Sequence, residues 1–489
     1  MKILMLTGYA GFTLRTHNIC EILSKSTKLK VIKYVYGKEN YKWLKNKNNE
    51  FYEEIYCIDH ILESIEDKIE KKDYEDEIEL NYLVKKIEIN FTKVLYSERI
   101  LVLHTHNNIF RRKFNQKQIN LFLIKIFNHL EKSLNGVDIV YSYHSSSIFS
   151  YLLSEICKIK KIKFITTRHD GITSNLFISY DNSQLLTKKT INTYEQSKIN
   201  QNSLEIVERY IQNIENGVRS NIITRGQLQK QNNLKINFSN LYRFIKNFFI
   251  KHENEMYLQK TNFQRVTEKF NLKFNEYFSK FSFKNEIDTE FKTIYLPLQT
   301  SPETGVLRSA VKFYDPLSLI KSLSLYIPPN WKLIVKEHPG MIGKRSYRFY
   351  NEIKNIYNVD LLNPNYQSLK LIKNSDAVIS ISGNTGLESY ALGKKTILLG
   401  DIFYEVLKGI SKINEIDEIY KILINLEEDY TEKNKTMQKN ELAKLIFAIK
   451  ENEHIKNDND VFWTNETFNK NIISTDQHIA NLLIKFLKN

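Results

Sequence analysis

Three stretches decide how this chain folds: Thr293-Ile294-Tyr295-Leu296-Pro297-Leu298-Gln299, Lys332-Leu333-Ile334-Val335-Lys336-Glu337-His338-Pro339-Gly340, and Ala377-Val378-Ile379-Ser380-Ile381-Ser382-Gly383-Asn384-Thr385-Gly386-Leu387-Glu388. Each opens as an apolar run of strand length and closes on Pro, Gly or small polar residues. Helical spacing fills the intervals, at Asp315–Leu325, Tyr347–Ile356, Gln367–Lys373 and Thr385–Leu392. Further strands are expected at Val359–Leu362 and Thr396–Leu399. Strands alternating with helices predict βαβ units and a parallel sheet, hence an α/β domain.

Outward from this core, the first third of the chain has the same rhythm. Strands are predicted at Ile3–Leu6, Leu29–Tyr36, Glu54–Ile58, Val137–Tyr143 and Ile162–Thr167, with helices at about Thr16–Ser24, Leu121–Leu134 and Ile148–Ile156. Residues 183–285 are polar, rich in Asn, Lys and Gln, and carry aromatics at helical spacing without a strand pattern. The expected organisation is an N-terminal Rossmann-like domain over 1–182, a helical insertion over 183–285, a C-terminal Rossmann-like domain over 286–415 and C-terminal helices over 416–489. Two such domains facing across a cleft are the economical architecture for 489 residues.

Composition excludes several classes. Apolar residues at 42% and charged residues at 26% leave no signature of disorder, and 15 Gly with 7 Pro exclude collagen-like or low-complexity chains. The net charge of +15 invites an anionic partner, but only 13 of the 71 cations are Arg. Nucleic-acid recognition favours the planar Arg fork, so no nucleic-acid partner is expected. The three Cys, at 20, 57 and 157, form no Cys-x-x-Cys pair and fit a reducing compartment. No apolar run approaches the length of a membrane span. A cytoplasmic protein is expected, peripheral on the inner membrane at most.

Ligands of open parallel sheets bind beyond the C-terminal ends of the strands. Lys336, His338 and Pro339 follow one strand directly, where Lys and His can donate to a phosphate; the alternative is a plain strand-to-loop turn. Ser380, Ser382, Gly383, Asn384, Thr385 and Gly386 lead from a strand into a helix, where small residues let a phosphate approach the backbone and the helix dipole. Glu388 is expected in the first helical turn, able to accept from ribose hydroxyls. Thr385-x-x-Glu388 also reads as an ordinary capping box. The loop is neither a P-loop nor a tidy Gly-x-Gly-x-x-Gly. Gln299 and Glu303 project from a loop stiffened by Pro302. In the first domain, Arg168-His169-Asp170-Gly171 puts a carboxylate at a strand end, as base, as nucleophile or as a simple Asp-Gly turn. Gly8 and Gly11, with Arg15 and His17 behind them, occupy the position of a ligand loop, or are equally a structural turn. His104 and His106 share a strand face but lack a third ligand, so no metal site is expected.

At these residues the stretch Tyr295–Tyr404 resembles the capsule polysaccharide biosynthesis family of bacterial Kdo-transferase-like proteins. The likeness lies in Leu296-Pro297-Leu298-Gln299 with Pro302-Glu303, Leu333 to Pro339, Arg345, Ser375-Asp376, and Gly383 to Glu388 with Gly393-Lys394. Outside it, the N-terminal domain matches mainly in layout. The resemblance implies a metal-independent GT-B glycosyltransferase with no cofactor, whose C-terminal domain holds a nucleotide-sugar donor, typically a CMP-linked sugar acid such as Kdo. The acceptor would be a glycan or glycolipid, and other polysaccharide-assembly proteins would be partners. Lys336 and His338 then look like the His-Pro motif on the donor phosphate, Ser382 and Thr385 like the phosphate loop, and Glu388 like the ribose contact. Gln299, Glu303 and Arg345 would line the cleft. Asp170 looks like the acid of the family's Glu-Asp-Gly motif, in which His169 here replaces the first acid. Two rivals stay open: a CDP-glycerol-type glycerophosphotransferase, whose loop favours Asp-Tyr-Ser-Ser, and a non-enzymatic basic scaffold for anionic polymer or membrane.

Overall fold

The fold is that of a computed structural model. It describes residues 1–7, 10–47, 49–70, 85, 89–96, 116–143, 147–173, 175–181, 183, 185–218, 262–288, 290–301, 303–452, 454–455 and 470–488. The first domain contributes strands β1 (Lys2–Leu6), β2 (Lys30–Val35), β3 (Tyr52–Cys57), β4 (Ile139–Ser142), β5 (Lys163–His169) and β6 (Leu176–Ser179). The second contributes β7 (Lys292–Pro297), β8 (Trp331–Lys336), β9 (Val359–Leu362), β10 (Ala377–Ser380), β11 (Lys395–Leu398) and β12 (Ser411–Lys412), and a last strand, β13 (His454–Ile455), returns to the first.

The second sheet is parallel throughout, in the order β12-β11-β10-β7-β8-β9. Its middle strands are buried on both faces, as β10 shows along its whole length. That is why they read as unbroken apolar runs rather than alternations. One core, on Ile294, Leu296, Leu333, Val335, Ile379 and Ile397, fills one face. A second, on Tyr295, Ile334, Val378, Leu387 and Leu398, fills the other.

The first sheet runs β13-β6-β5-β4-β1-β2-β3. It is parallel from β3 to β5, but β6 pairs antiparallel with β5, and β13 antiparallel with β6. Sequence reading missed both of these strands, β6 and β13. In consequence Asp170-Gly171 does not lead into a crossover helix. It sits in the loop of the β5–β6 hairpin, and Gly171 takes φ +71°, which glycine adopts without strain.

Two further expectations change. The helix after β1 spans Ala10–Ser26, so Gly11 lies within its first turn and not in a ligand loop. Gly8, Pro302, His104 and His106 fall outside the described residues. The described part of the expected tail over 416–489 is mainly helical, apart from β13, but is shared between domains. Helix Tyr430–Asn452 packs on the insertion helices Lys188–Gln196 and Gln201–Glu215, beside the second domain's core. Helix Lys470–Lys488 packs on helix Ala10–Ser26 of the first domain. There Arg15 Nε donates to Asp476 Oδ1 at 3.0 Å, a buried ion pair across the joint. Among the described residues, no helix is long and apolar enough to cross a membrane.

Candidate functional site

In the second sheet the chain winds outward through β7, β8 and β9, then reappears at β10 on the other side of β7. The loops after β7 and β10 therefore diverge and leave a crevice between them, the switch point at which open α/β sheets bind ligands. Three sequence-predicted groups meet around it.

The loop after β8 is rigidly built. Glu337 is 0% exposed. Its Oε1 accepts from the His338 backbone N–H at 2.7 Å, and its Oε2 from Arg345 Nε at 2.7 Å and Tyr350 OH at 3.1 Å. Arg345 also donates through its terminal nitrogen to the Gln299 carbonyl at 2.9 Å. Arg345 was expected to line the cleft. It is instead buried beneath the loops, where it ties the end of β8 to the end of β7, because a buried guanidinium needs a carboxylate and carbonyls to replace water. His338 Nδ1 accepts from the Gly340 N–H at 3.0 Å. A neutral ring so held carries its proton on Nε2. Pro339 opens a single 3-10 turn, Pro339–Met341, and Lys336 ends β8 with its side chain largely buried.

The loop after β10 leads into helix Asn384–Ala391, with Gly383 at the N-cap and no side chain capping it. The expected capping box is absent. Thr385 lies inside the helix, one residue past its start, and Glu388 lies beyond the first turn, buried. Ser380 Oγ is occupied by the loop itself, within 3.3 Å of the Gly383 N and 3.2 Å of its O. Tyr404 OH donates to the Gly383 carbonyl at 2.5 Å. A Cβ on Gly386 would fall 2.4 Å from Tyr404 Oη and 2.9 Å from Ser380 Cβ, so this position needs glycine for space. A Cβ on Gly383 would meet Gln299 Nε2 at 2.9 Å, which places the β7 loop directly against the β10 loop.

Two polar atoms at this junction are buried and have no partner among the described residues: Gln299 Oε1 and Ser382 Oγ. Buried polar atoms are almost always satisfied, so a pair of orphans beside an uncapped helix start marks a ligand position. Glu303 stands at the far end of the β7 loop as N-cap residue of the short helix Thr304–Ser309, with Thr300 Oγ1 3.5 Å from its carboxylate.

The first domain reaches the same place. A Cβ on Gly171 would lie 3.1 Å from Leu387 Cδ2 and 3.3 Å from Asn384 Oδ1, so the β5–β6 loop abuts the start of helix Asn384–Ala391. Asp170 is 3% exposed. Its Oδ1 accepts from the backbone N–H of Ile172 and Thr173 at 3.0 and 2.7 Å, and its Oδ2 from the Thr173 hydroxyl. Burial pushes its carboxyl up to about 6, against the opposing pull of those hydrogen bonds. His169 ends β5, half-buried and paired in register with Leu176. Glu337, Tyr350 and Tyr404 carry this site's shape, yet only Glu337 lies within a motif read for chemistry. The two tyrosines carry no local signal, because their partners lie far away in sequence.

Residues 238–421 match the model of the family described as capsule polysaccharide biosynthesis protein. The resemblance read from the sequence over Tyr295–Tyr404 lies within this match. No curated protein matches the chain. Among solved structures it is similar to the beta Kdo 2,4 transferase KpsC of Thermosulfurimonas dismutans, at 12% identity over 64% of this chain and 81% of that one, TM-score 0.33. It is similar to the UDP-GlcNAc 2-epimerase of Neisseria meningitidis bound to UDP-GlcNAc, at 12% identity over 100% of both chains, TM-score 0.25. It is also similar to Alr3699/HepE of Anabaena in complex with UDP, at 13% identity over 99% of this chain and 100% of that one, TM-score 0.29. These superpositions are loose, and the two-sheet α/β fold rests on the strand order itself.

Proposed function

We propose that the protein is a glycosyltransferase of surface polysaccharide assembly, which moves a sugar from a nucleotide-activated donor to a glycan or glycolipid acceptor. The observation that carries this reading is the uncapped start of helix Asn384–Ala391, flanked by the orphaned Gln299 Oε1 and Ser382 Oγ at the switch point. Free N–H groups and the positive end of a helix dipole suit a diphosphate or phosphodiester. The donor we favour is a CMP-linked sugar acid such as Kdo, with the enzyme working at the cytoplasmic face of the membrane. The basic balance of the chain suits such acidic substrates.

In this mechanism Lys336, His338 Nε2–H and the N–H groups at Asn384 and Thr385 stabilise charge on the leaving phosphate. Glu388, one turn further, orients the nucleoside. Asp170 takes the proton of the acceptor hydroxyl, its carboxyl raised towards neutrality as a general base requires. An incoming hydroxyl would displace the Thr173 hydroxyl at Oδ2. The half-buried His169 lies beside it.

A thermal-shift panel of CMP, CDP, UDP and GDP tests the donor, because a ligand of the native state raises Tm with the logarithm of its concentration over Kd. CMP should give the largest rise; a rise with CDP alone would instead favour glycerophosphate transfer, and none with any nucleotide would overturn the assignment. His338→Ala should lower turnover by about 10² to 10³. Asp170→Asn should lower it comparably while leaving the nucleotide-induced shift in place. Unchanged turnover in both variants would remove these roles.

A further inference from the structure

A second cavity lies away from the switch point, in the first domain. It is a groove of about 490 Å³ between helix Ala10–Ser26 and helix Lys38–Lys47. Both helices follow parallel strands of one sheet, β1 and β2, so both begin at the edge that faces the second domain. The groove therefore starts at that edge, at Thr13 and Asn40, and descends the outer face of the domain towards Glu21 and Lys47.

Its walls are polar and aromatic together. His17 Nδ1 is 2.8 Å from Tyr52 OH, and its ring meets Trp43 edge-to-face at 5.3 Å. Burial holds this imidazole below its usual range. Its Nε2 lies 3.2 Å from Glu21 Oε1 but outside hydrogen-bond alignment. Lys47 Nζ stands 5.1 Å from the Trp43 ring centroid. Thr13 is 1% exposed and its hydroxyl has no partner among the described residues. Such an orphan in a groove wall is the mark of a missing ligand group.

The chemistry narrows the ligand. A carboxylate acceptor, an imidazole, an ammonium, a hydroxyl and an indole converge on one cavity. Charges of both signs exclude a purely anionic ligand, and the polar walls exclude an acyl chain. A molecule with alternating hydroxyl donors and acceptors around an apolar C–H skeleton fits: a sugar. We propose that the groove is a saccharide-binding subsite, which holds a sugar unit of the acceptor chain remote from the reacting hydroxyl. The acceptor role rests on the glycosyltransferase reading; saccharide binding by itself does not.

The test uses the full chain with maltotetraose, chitotetraose and a hyaluronan tetrasaccharide as probes. Binding is read by tryptophan fluorescence and by saturation-transfer NMR. At least one probe should give a saturable signal. Trp43→Phe should abolish the fluorescence change, and the surface variant Glu21→Ala/Lys47→Ala should weaken binding at least tenfold. The nucleotide-induced rise in Tm should be the same in these variants as in the wild type. No binding of any probe, or binding untouched by both variants, overturns the subsite. Saccharide binding without any nucleotide response would instead overturn the transferase reading and leave the subsite standing.

Discussion

Lys33 is an unusual residue to find on a central strand. It is 0% exposed, and its Nζ donates to Thr16 Oγ1, which in turn donates to the Phe12 carbonyl at 2.8 Å. No carboxylate is paired with it among the described ion pairs. Burial pushes its ammonium from 10.5 down to about 8. Between those values the unfolded chain binds more protons than the folded one, so stability rises with pH across that window. Below pH 8 the cost is fully present, on the order of 3 kcal/mol. Lys33→Met should therefore raise Tm at pH 7 and flatten the rise between pH 8 and 10, in thermal melts across pH. A variant less stable than wild type at pH 7 would show that the buried charge is compensated. Sequence reading treats Lys33 as one more cation in a Lys-rich chain. Its burial follows from strand register against helix Ala10–Ser26, which no local pattern declares.

At the scale of elements, the Gly383–Glu388 turn shows both the reach and the limit of sequence reading. Its place after a strand was legible, because an apolar run ending in Ser and Gly before helical spacing has few other readings. The helix start was not. Thr385-x-x-Glu388 satisfies the capping-box pattern, but the chain begins its helix at Asn384, where Tyr404 and Ser380 hold Gly383 from outside the segment. Gly386→Ala should force Tyr404 and Ser380 apart and suppress the nucleotide-induced thermal shift, with circular dichroism unchanged. A normal shift would show that the loop tolerates the move. The clamp beneath it is more costly to break. Arg345→Leu leaves Glu337 buried without its cation and should destabilise by about 3–5 kcal/mol in chemical denaturation. The β5–β6 hairpin was missed because Leu176-Phe177-Ile178-Ser179 is short and gains its identity only by pairing across the turn.

At the scale of the molecule, the two-sheet architecture was readable from the alternation of strands and helices, but the path of the tail was not. Residues far apart in sequence, such as Arg15 and Asp476, carry no mutual signal. Helix Lys470–Lys488 buries Ile479, Ala480 and Leu483 in the core beneath helix Ala10–Ser26. Truncation after Asn452 would expose that core and leave the edge of β6 unpaired. The truncated chain should melt at lower temperature and self-associate, as light scattering would record. A monomeric chain with unchanged Tm would mean that the returning segment adds nothing to the first domain.

The return of β13 and the last helix also sets a schedule for synthesis. The first domain is completed by segments at opposite ends of the chain, with the whole second domain emerging between them. A nascent chain that has emerged only as far as residue 452 would thus carry a complete second domain beside a first sheet whose final strand has not yet emerged. Limited proteolysis of such ribosome-held chains should cut the N-terminal half and spare residues 292–424. What is translated first is finished last.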